Sequence, residues 1–206
     1  MIIMTAGKKL PSKVTALYDA VEELIAEDID IKEIKVSDIT CRAGIGKGTA
    51  YEYFKNKEEI ISSAILYHID SICSRIMEKM NALDDFAQMI EVIFCTMDEK
   101  IVKRGCFIKY IHLLTDNSPI SKILRRRVKE RDGDICLPGD IIERLIRAGM
   151  DGEVIKKSLP KAYIEMEIAS RLLVYAAYYT LNMEERECSR EQMRSLLFGS
   201  LMKVMQ

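Results

Sequence analysis

The sequence predicts an all-α fold, and three observations support this prediction. The 206 residues include only four prolines and ten glycines, apolar residues recur at spacings of three and four, and no alternating Val, Ile and Thr run bounded by turn residues is present. A content of 49% hydrophobic and 31% charged residues is typical of a soluble globular protein. The formal net charge of −1 excludes a strongly basic protein, so any nucleic-acid contact must come from a local patch.

Capping residues and glycines divide the chain into about nine helical segments. The first begins near Pro11 and Ser12 and presents one apolar stripe, made of Val14, Leu17, Val21, Leu24 and Ile25. Short helices follow at residues 36–42 and 47–54, separated by a break at Ala43 and Gly44. Asn56 and Glu59 form a capping box for a fourth helix that reaches Met80.

The later helices are predicted from the same kinds of signal. The fifth helix is predicted to start at Asp84 and to end at residues 103–105, and a short sixth helix covers 106–115. The next starts at Ser118 with Pro119 and is interrupted at 132–133, and another runs from Asp140, capped with Glu143, to Gly149. The last two start at Pro160 and at Ser189 with Gln192.

The last two helices differ from the others because residues 172–181 carry no charge and need cover on every side. Glu165, Glu167 and Arg171 interrupt the apolar run, which excludes a membrane span. We therefore predict a homodimer formed through this helix pair. The predicted interface residues are Leu172, Tyr175, Tyr179, Met193, Leu196, Leu197, Ser200, Leu201 and Val204.

The six cysteines lie at wide spacings with no C-x-x-C pair, which favours reduced apolar fillers over a metal site or a disulfide framework. The start of the chain lacks the length and cleavage pattern of a signal peptide, so we expect a cytoplasmic protein. No cofactor and no metal ion are predicted.

The most informative stretch is residues 34–58, which reads as two short helices joined by a tight turn. Val36 and Ile39 are predicted to face inward, Gly44 to make the turn, and Ala50 and Phe54 to anchor the second helix. Residues 42–57 carry an excess of three positive charges, from Arg42, Lys47, Lys55 and Lys57 against Glu52. This arrangement is typical of a helix-turn-helix that reads DNA.

The second helix begins with the residues that a recognition helix presents to base edges. Glycines at positions 46 and 48 lower helix stability by about 1 kcal/mol each, a cost that is understandable if the backbone must approach a partner closely. The predicted DNA-binding residues are Lys35, Ser37, Gly46, Lys47, Gly48, Thr49, Tyr51, Tyr53, Lys55 and Lys57.

This segment resembles the DNA-binding motif of the TetR/AcrR family of transcriptional regulators. The matching residues are Val36, Ile39, Ala43, Gly44, Gly48, Thr49, Tyr51, Tyr53, Phe54, Lys57 and Glu58. The resemblance is close over residues 17–61, whereas the remainder agrees in length and helical layout. We place a DNA-binding domain at residues 1–56 and an effector-binding and dimerisation domain at residues 57–206.

The resemblance implies a nine-helix, two-domain dimer that binds operator DNA and represses genes until a small molecule enters the C-terminal domain. Residues matching Lys47, Gly48, Thr49 and Tyr51 would contact the groove, and those matching Tyr53 and Lys57 would contact phosphate. This sequence departs from the motif at Lys35 and Thr40, at Gly46 in place of a serine cap, and at Ala50 in place of a larger apolar residue.

The sequence leaves the effector unidentified and several alternatives open. The aromatic and Met-rich helices favour an apolar effector, with Phe94, Met97, Phe107, Tyr110, His112, Tyr175, Tyr178 and Tyr179 as candidate lining, although such residues are also common core residues. Control by a protein partner, or an architectural role on the chromosome, is an alternative to metabolite sensing. An enzyme has no readable catalytic constellation, and Cys41 as an oxidation sensor lacks a nearby resolving cysteine.

Overall fold

The computed structural model describes residues 10–27, 29–102, 113, 116–130, 135–181 and 188–206. Within these ranges the chain forms nine α-helices and no strand, and the predicted all-α class is confirmed. We number them α1 (Ser12–Ala26), α2 (Val36–Arg42), α3 (Lys47–Tyr53), α4 (Lys57–Asn81), α5 (Phe86–Thr96), α6 (Pro119–Glu130), α7 (Pro138–Asp151), α8 (Lys161–Leu181) and α9 (Arg190–Met205). A π-helical segment, Met97–Val102, continues α5.

The packing divides the chain into two compact units. The first comprises residues 1–71 and 108–136, and the second comprises residues 72–107 and 137–206. The first unit thus contains the predicted helix-turn-helix together with α6. The domain boundary predicted after residue 56 stays a prediction.

Helix α1 supplies much of the core of the first unit. It begins after Pro11, whose carbonyl accepts hydrogen bonds from the amides of Val14 and Thr15 at 2.9 and 3.1 Å. All five residues of its predicted apolar stripe are buried, and Tyr18 is buried with them.

Side-chain caps at two further helix starts agree with the sequence. The Asn56 side chain accepts a hydrogen bond from the Glu59 amide at 2.9 Å, and the Glu59 carboxylate accepts one from the Lys55 amide at 2.7 Å. At the start of α6, the Ser118 hydroxyl accepts a hydrogen bond from the Ser121 amide at 3.2 Å.

Three boundaries in the second unit differ from the prediction. Asp85, rather than Asp84, caps α5 by accepting a hydrogen bond from the Gln88 amide at 2.8 Å. Helix α7 begins two residues before Asp140, whose carboxylate accepts the Leu137 amide at 2.8 Å in the role predicted for Glu143. The helix also continues past Gly149 to Asp151. Each of these three corrections moves a helix end by one or two residues.

Helices α8 and α9 begin as predicted, at Pro160 and at the Ser189 and Gln192 capping box. The predicted end of the fifth helix at residues 103–105 and the break at 132–133 lie outside the described residues, as does the short helix at 106–115 apart from Leu113. Within the described ranges, none of the helices combines the length and hydropathy needed to cross a bilayer.

Candidate DNA-binding site

The turn between α2 and α3 is built by backbone hydrogen bonds around Gly44. Gly44 has a φ of +67°, in the left-handed region that glycine adopts without a steric penalty. Its amide donates to the Cys41 carbonyl at 3.2 Å, and the Ile45 amide donates to the Thr40 carbonyl at 3.0 Å. This pair of bonds is a Schellman motif, which satisfies the last carbonyls of α2 and redirects the chain toward α3.

Two neighbouring side chains hold α2 against the unit. Ile39 is fully buried, as predicted, whereas Val36 is half-buried. Thr40 is also buried, and its hydroxyl donates to the Val36 carbonyl at 2.9 Å. A threonine in place of a small apolar residue is therefore accommodated because its polar atom has a partner inside its own helix.

Ala50 and Phe54 anchor α3, as predicted. Ala50 is fully buried, and Phe54 is buried with its ring 5.9 Å from that of Tyr18. The opposite face of the helix points outward, where Lys47 and Gly48 are exposed and the Tyr51 side chain is 52% exposed. Thr49 and Tyr53 are half-buried at the edges of this face.

The two glycines at the start of α3 are not required by packing within the chain. A Cβ atom added at Gly46 or at Gly48 would meet no heavy atom within 4 Å. Gly46 is the N-cap in an extended conformation and offers no side-chain cap. The start of α3 thus carries two positions without a side chain, where another molecule can approach the backbone closely.

Two predicted phosphate-binding lysines lie at the start of α4. Lys55 is exposed. Lys57 is half-buried, and its ammonium group donates a hydrogen bond to the Lys32 carbonyl at 2.8 Å. Since an ammonium group has three donors, this bond leaves two for another acceptor.

The start of α2 carries the remaining predicted contacts, Lys35 and Ser37. Lys35 is exposed, and its amide donates to the Asp38 carboxylate at 3.0 Å. The Ser37 hydroxyl lies 3.4 Å from the same carboxylate, to which it can donate. The Asp38 carboxylate thus supplies the reciprocal half of a capping box, accepting from the amide of the N-cap residue Lys35.

Arg42 does not belong to the positive surface inferred from the sequence. Its guanidinium group donates two hydrogen bonds to Glu27, at 2.7 and 2.9 Å, and a third to Glu23 at 3.3 Å. The hydrogen bond from Arg42 lowers the pKa of Glu27. Two carboxylates at the C-terminal end of α1 thus offset this charge, and the excess of three positive charges counted from the sequence overstates the local positive field.

The candidate effector residues of the second unit form an aromatic cluster. The Phe94 and Tyr175 rings lie 4.8 Å apart, as do those of Tyr175 and Tyr179, and the Tyr178 ring lies 5.1 Å from that of Tyr179. Phe94, Tyr175 and Tyr179 are buried, Met97 is buried as well, and Tyr178 is half-buried. Phe107, Tyr110 and His112 lie outside the described residues.

Asp98, a residue that the sequence analysis missed, lies beside this cluster in the π-helical segment. Its carboxylate accepts hydrogen bonds from the Tyr175 hydroxyl at 2.9 and 3.0 Å, from Arg190 at 3.0 Å and from Arg194 at 2.7 Å. Burial, followed by the contact with Asp98, raises the pKa of Tyr175. In the sequence, Asp98 stands out only as an acidic residue directly after an apolar run. The π-helical geometry of its segment, which is often associated with function, is visible only in the structure.

A cavity of about 310 Å³ lies between α5 and α9 of the same unit. Its residues are Ala87, Ile90, Glu91, Phe94, Glu191, Arg194, Ser195 and Phe198. Phe94 thus belongs both to the aromatic cluster and to the wall of this cavity. Of the other candidate effector residues in the described ranges, none lines it.

The predicted dimer residues fall into two groups. Leu196 is 66% exposed and Ser200 is exposed, while Leu172, Met193, Leu197 and Val204 are half-buried. Tyr175, Tyr179 and Leu201 are instead buried within their own unit, so their prediction as surface contacts is corrected. Met166, Leu173 and Val174 of α8, which the prediction omitted, are exposed, as Leu196 of α9 is.

Comparisons with known proteins support the helix-turn-helix. Residues 17–64 match the model described as "Bacterial regulatory proteins, tetR family". A fatty acid metabolism regulator protein of Bacillus subtilis (strain 168) is 35% identical over 91 residues, which are 42% of this chain and 46% of that protein. The match thus spans less than half of that relative's length.

Solved structures with low sequence identity share the fold. The regulator FadR of Bacillus subtilis, crystallised with stearoyl-CoA, has a TM-score of 0.70 at 19% identity, covering 93% of this chain and 96% of FadR. FadR of Bacillus halodurans has a TM-score of 0.71 at 18% identity, covering 96% of each chain. Residues 17–64, which span most of α1, all of α2 and α3 and the start of α4, thus match the model of the TetR family of bacterial regulatory proteins, and the whole chain shares the fold of these solved structures.

Proposed function

We propose that this chain is a homodimeric regulator that binds operator DNA through α3 and is released from it by a small-molecule effector. One observation carries the DNA-binding part: α3 is anchored by Ala50 and Phe54 while Gly46 and Gly48 leave its first turn bare toward the outside. A helix that is fixed on one face and open on the other suits insertion into a major groove.

The proposed contacts divide by chemistry. Lys47, Gly48, Thr49 and Tyr51 would lie against base edges, where a lysine can donate to guanine and a threonine methyl can contact thymine. Lys35, Ser37, Tyr53, Lys55 and Lys57 would position the backbone of the duplex without reading sequence. Because Arg42 is paired with Glu27 and Glu23, we leave it out of this set.

The proposed dimer face uses the exposed side of α8 and α9. Met166, Leu173, Val174 and Leu196 expose apolar surface there, and Ser200 accepts a hydrogen bond from Arg171 at 3.1 Å that joins the two helices. Gly199 lies on the same pair, where a Cβ would meet nothing within 4 Å, which favours close approach of a second copy. Apolar groups grouped in this way are typical of subunit interfaces.

We propose an acyl thioester as the effector class. The support is that a relative 35% identical over 91 residues regulates fatty acid metabolism and that a protein of the same fold was crystallised with stearoyl-CoA. The cavity between α5 and α9 is lined by apolar Ile90, Phe94 and Phe198 together with charged residues, a combination that suits an amphipathic ligand.

The first experiment measures binding to DNA. Fluorescence anisotropy would compare DNA from beside the protein's own gene with scrambled DNA at two salt concentrations. We expect tighter binding to the first DNA and weaker binding to both at higher salt. Equal and weak binding, both there and to fragments selected from the whole genome, would contradict the regulator function.

The second experiment tests the effector on the protein bound to its operator. Stearoyl-CoA is expected to release the DNA, whereas coenzyme A alone is not. Ala87→Leu, which adds a side chain to the cavity wall, should weaken the response, and Gln88→Leu, one residue along α5 and outside that wall, is the matched control. If both variants respond like the wild type, the effector does not bind in this cavity.

A further inference from the structure

Lys32, in the loop between α1 and α2, joins two parts of the first unit that are distant in sequence. Its ammonium group forms an ion pair with the Asp116 carboxylate, with the nearest atoms 2.7 Å apart. Its backbone carbonyl accepts the hydrogen bond from the Lys57 ammonium group at 2.8 Å. One residue thus contacts both the segment that leads into α6 and the start of α4.

The Asp116 end of this chain of contacts has several further hydrogen bonds. Its carboxylate accepts hydrogen bonds from the Ser118 amide at 2.7 Å and from the Ser121 hydroxyl at 2.5 Å, and its carbonyl accepts one from Arg125 at 2.7 Å. The Asp116 side chain is only 11% exposed. The neighbouring Lys32 ammonium, with these hydrogen bonds, holds the pKa of the carboxyl group well below its usual range, so it is ionised at neutral pH.

Hydrogen bonds and buried side chains also hold the loop at the Lys32 end. The Lys32 amide donates to the Asp30 side chain and the Glu33 amide donates to the Asp30 carbonyl, both at 2.9 Å. Ile31 and Ile34 are buried on either side. The Lys32 carbonyl that accepts the Lys57 ammonium group thus belongs to a loop that is held within itself at Asp30 and from outside by the ion pair with Asp116.

We propose that Asp116 is a positioning residue for DNA binding, which acts through Lys32 to hold Lys57 where a DNA phosphate meets the start of α4. This inference rests on the proposed DNA-binding function. A free lysine side chain loses rotamer freedom when it binds a phosphate, and a lysine already held by one hydrogen bond loses less. Two donors of the ammonium group remain for the phosphate.

The direction in which Asp116→Asn changes the DNA affinity distinguishes positioning from simple electrostatics. Asp116→Asn removes a negative charge from the DNA-binding unit, which by itself would strengthen binding to a polyanion. Positioning predicts the opposite, a loss of roughly threefold to tenfold in affinity for all DNA sequences, with a salt dependence smaller by about 0.9 in the logarithmic slope because one phosphate contact is lost. Glu33→Gln also removes one negative charge, from an exposed residue next to Lys32 in the loop between α1 and α2, and is the matched control.

The test measures DNA dissociation constants over a range of salt for wild type, Asp116→Asn, Glu33→Gln, Lys57→Ala and the double variant Asp116→Asn with Lys57→Ala. Thermal unfolding of each protein reports any purely structural effect. We expect Asp116→Asn to bind more weakly, Glu33→Gln to bind at least as well as wild type, and the double variant to bind like Lys57→Ala alone.

Two results would overturn the inference. One is an Asp116→Asn variant that binds as tightly as Glu33→Gln, and the other is the same loss of affinity with and without Lys57. If Asp116→Asn does not fold, Lys32→Gln is measured with and without Lys57→Ala. The loss of the Lys32 charge affects both backgrounds equally, so the difference between the two losses of affinity still reports the coupling to Lys57. A wild type without DNA binding would overturn the proposed function together with this inference, whereas failure of the cycle alone overturns only the positioning.

Discussion

The amide of Ile45 donates a hydrogen bond to the carbonyl of Thr40 at 3.0 Å, across a glycine with a φ of +67°. Gly44→Ala forces a side chain into the left-handed region, so we expect a loss of roughly 1 to 2 kcal/mol in the free energy of unfolding. Denaturant unfolding measures this loss. An alanine variant as stable as wild type would contradict the view that this turn needs glycine.

Gly48→Ala is expected to change stability and DNA affinity in opposite directions. The added methyl group meets nothing within 4 Å, and alanine stabilises a helix by about 1 kcal/mol relative to glycine. The same methyl group would project from the face proposed to enter the groove, so specific binding should weaken. Thermal unfolding and anisotropy on the same sample measure both effects, and a stabilised variant with unchanged affinity would place the backbone of α3 away from the DNA.

Arg42→Ala should weaken DNA binding much less than Lys47→Ala, and equally for all sequences. Arg42 is held by Glu27 and Glu23, while Lys47 is exposed on α3. We expect Lys47→Ala to lose about 1 to 3 kcal/mol of specific binding free energy, and Arg42→Ala to lose only the small long-range contribution of one positive charge, on specific and scrambled DNA alike. Equal losses for the two variants would mean that the Arg42 pairs open when DNA binds.

Tyr18 should make the stability fall in alkaline solution. Burial is the first cause that raises its pKa to about 12, and Ser63 and Arg127, which lie close by, act in the opposite direction. Because the folded-state pKa is raised, the stabilisation is complete below the unfolded pKa of about 10 and is lost as pH rises toward 12, by roughly 2 kcal/mol.

Tyr18→Phe should flatten this part of the pH profile, as measured by denaturant unfolding between pH 9 and about 12. At neutral pH we expect little loss of stability, since the buried hydroxyl has no hydrogen bond of normal geometry among the described residues. A profile with the same slope in both proteins would assign the alkaline loss to other groups.

Gly149→Ala tests the packing of the second unit. An added Cβ would lie 2.5 and 2.7 Å from Ile155 side-chain atoms and 2.9 Å from the Phe86 ring. Overpacking of this kind costs about 1 to 3 kcal/mol. Gly139→Ala, in the same helix but with nothing within 4 Å, is the control. A calorimetric midpoint that falls for the control but not for Gly149→Ala would contradict the packing of α7.

Features encoded by neighbouring residues were predictable from the sequence. The apolar stripe of α1, the turn at Gly44 and the Asn56 cap depend on contacts within a few residues, and all three appear as predicted. The recognition of the helix-turn-helix succeeded for the same reason, because its signal lies within one short segment.

Features that depend on distant contacts were not predictable. Nothing near Arg42 in sequence indicates its pairing with Glu27, which lies 15 residues away, just after the end of α1. Within the uncharged segment at residues 172–181, no polar residue marks which side faces the core, so Tyr175 and Tyr179 were placed on the outside although both are buried. Asp98 finds its donors 77, 92 and 96 residues later, far beyond the range of any periodicity.

The three donors that converge on Asp98 have a consequence for how this region tolerates mutation. Loss of Arg190 or Arg194 removes one donor and leaves the carboxylate with others, whereas loss of Asp98 deprives Tyr175, Arg190 and Arg194 of the same acceptor at once. Random mutagenesis should therefore recover functional substitutions at each arginine far more often than at Asp98. Tolerance to mutation is therefore unequal within this cluster, because three donors depend on one acceptor.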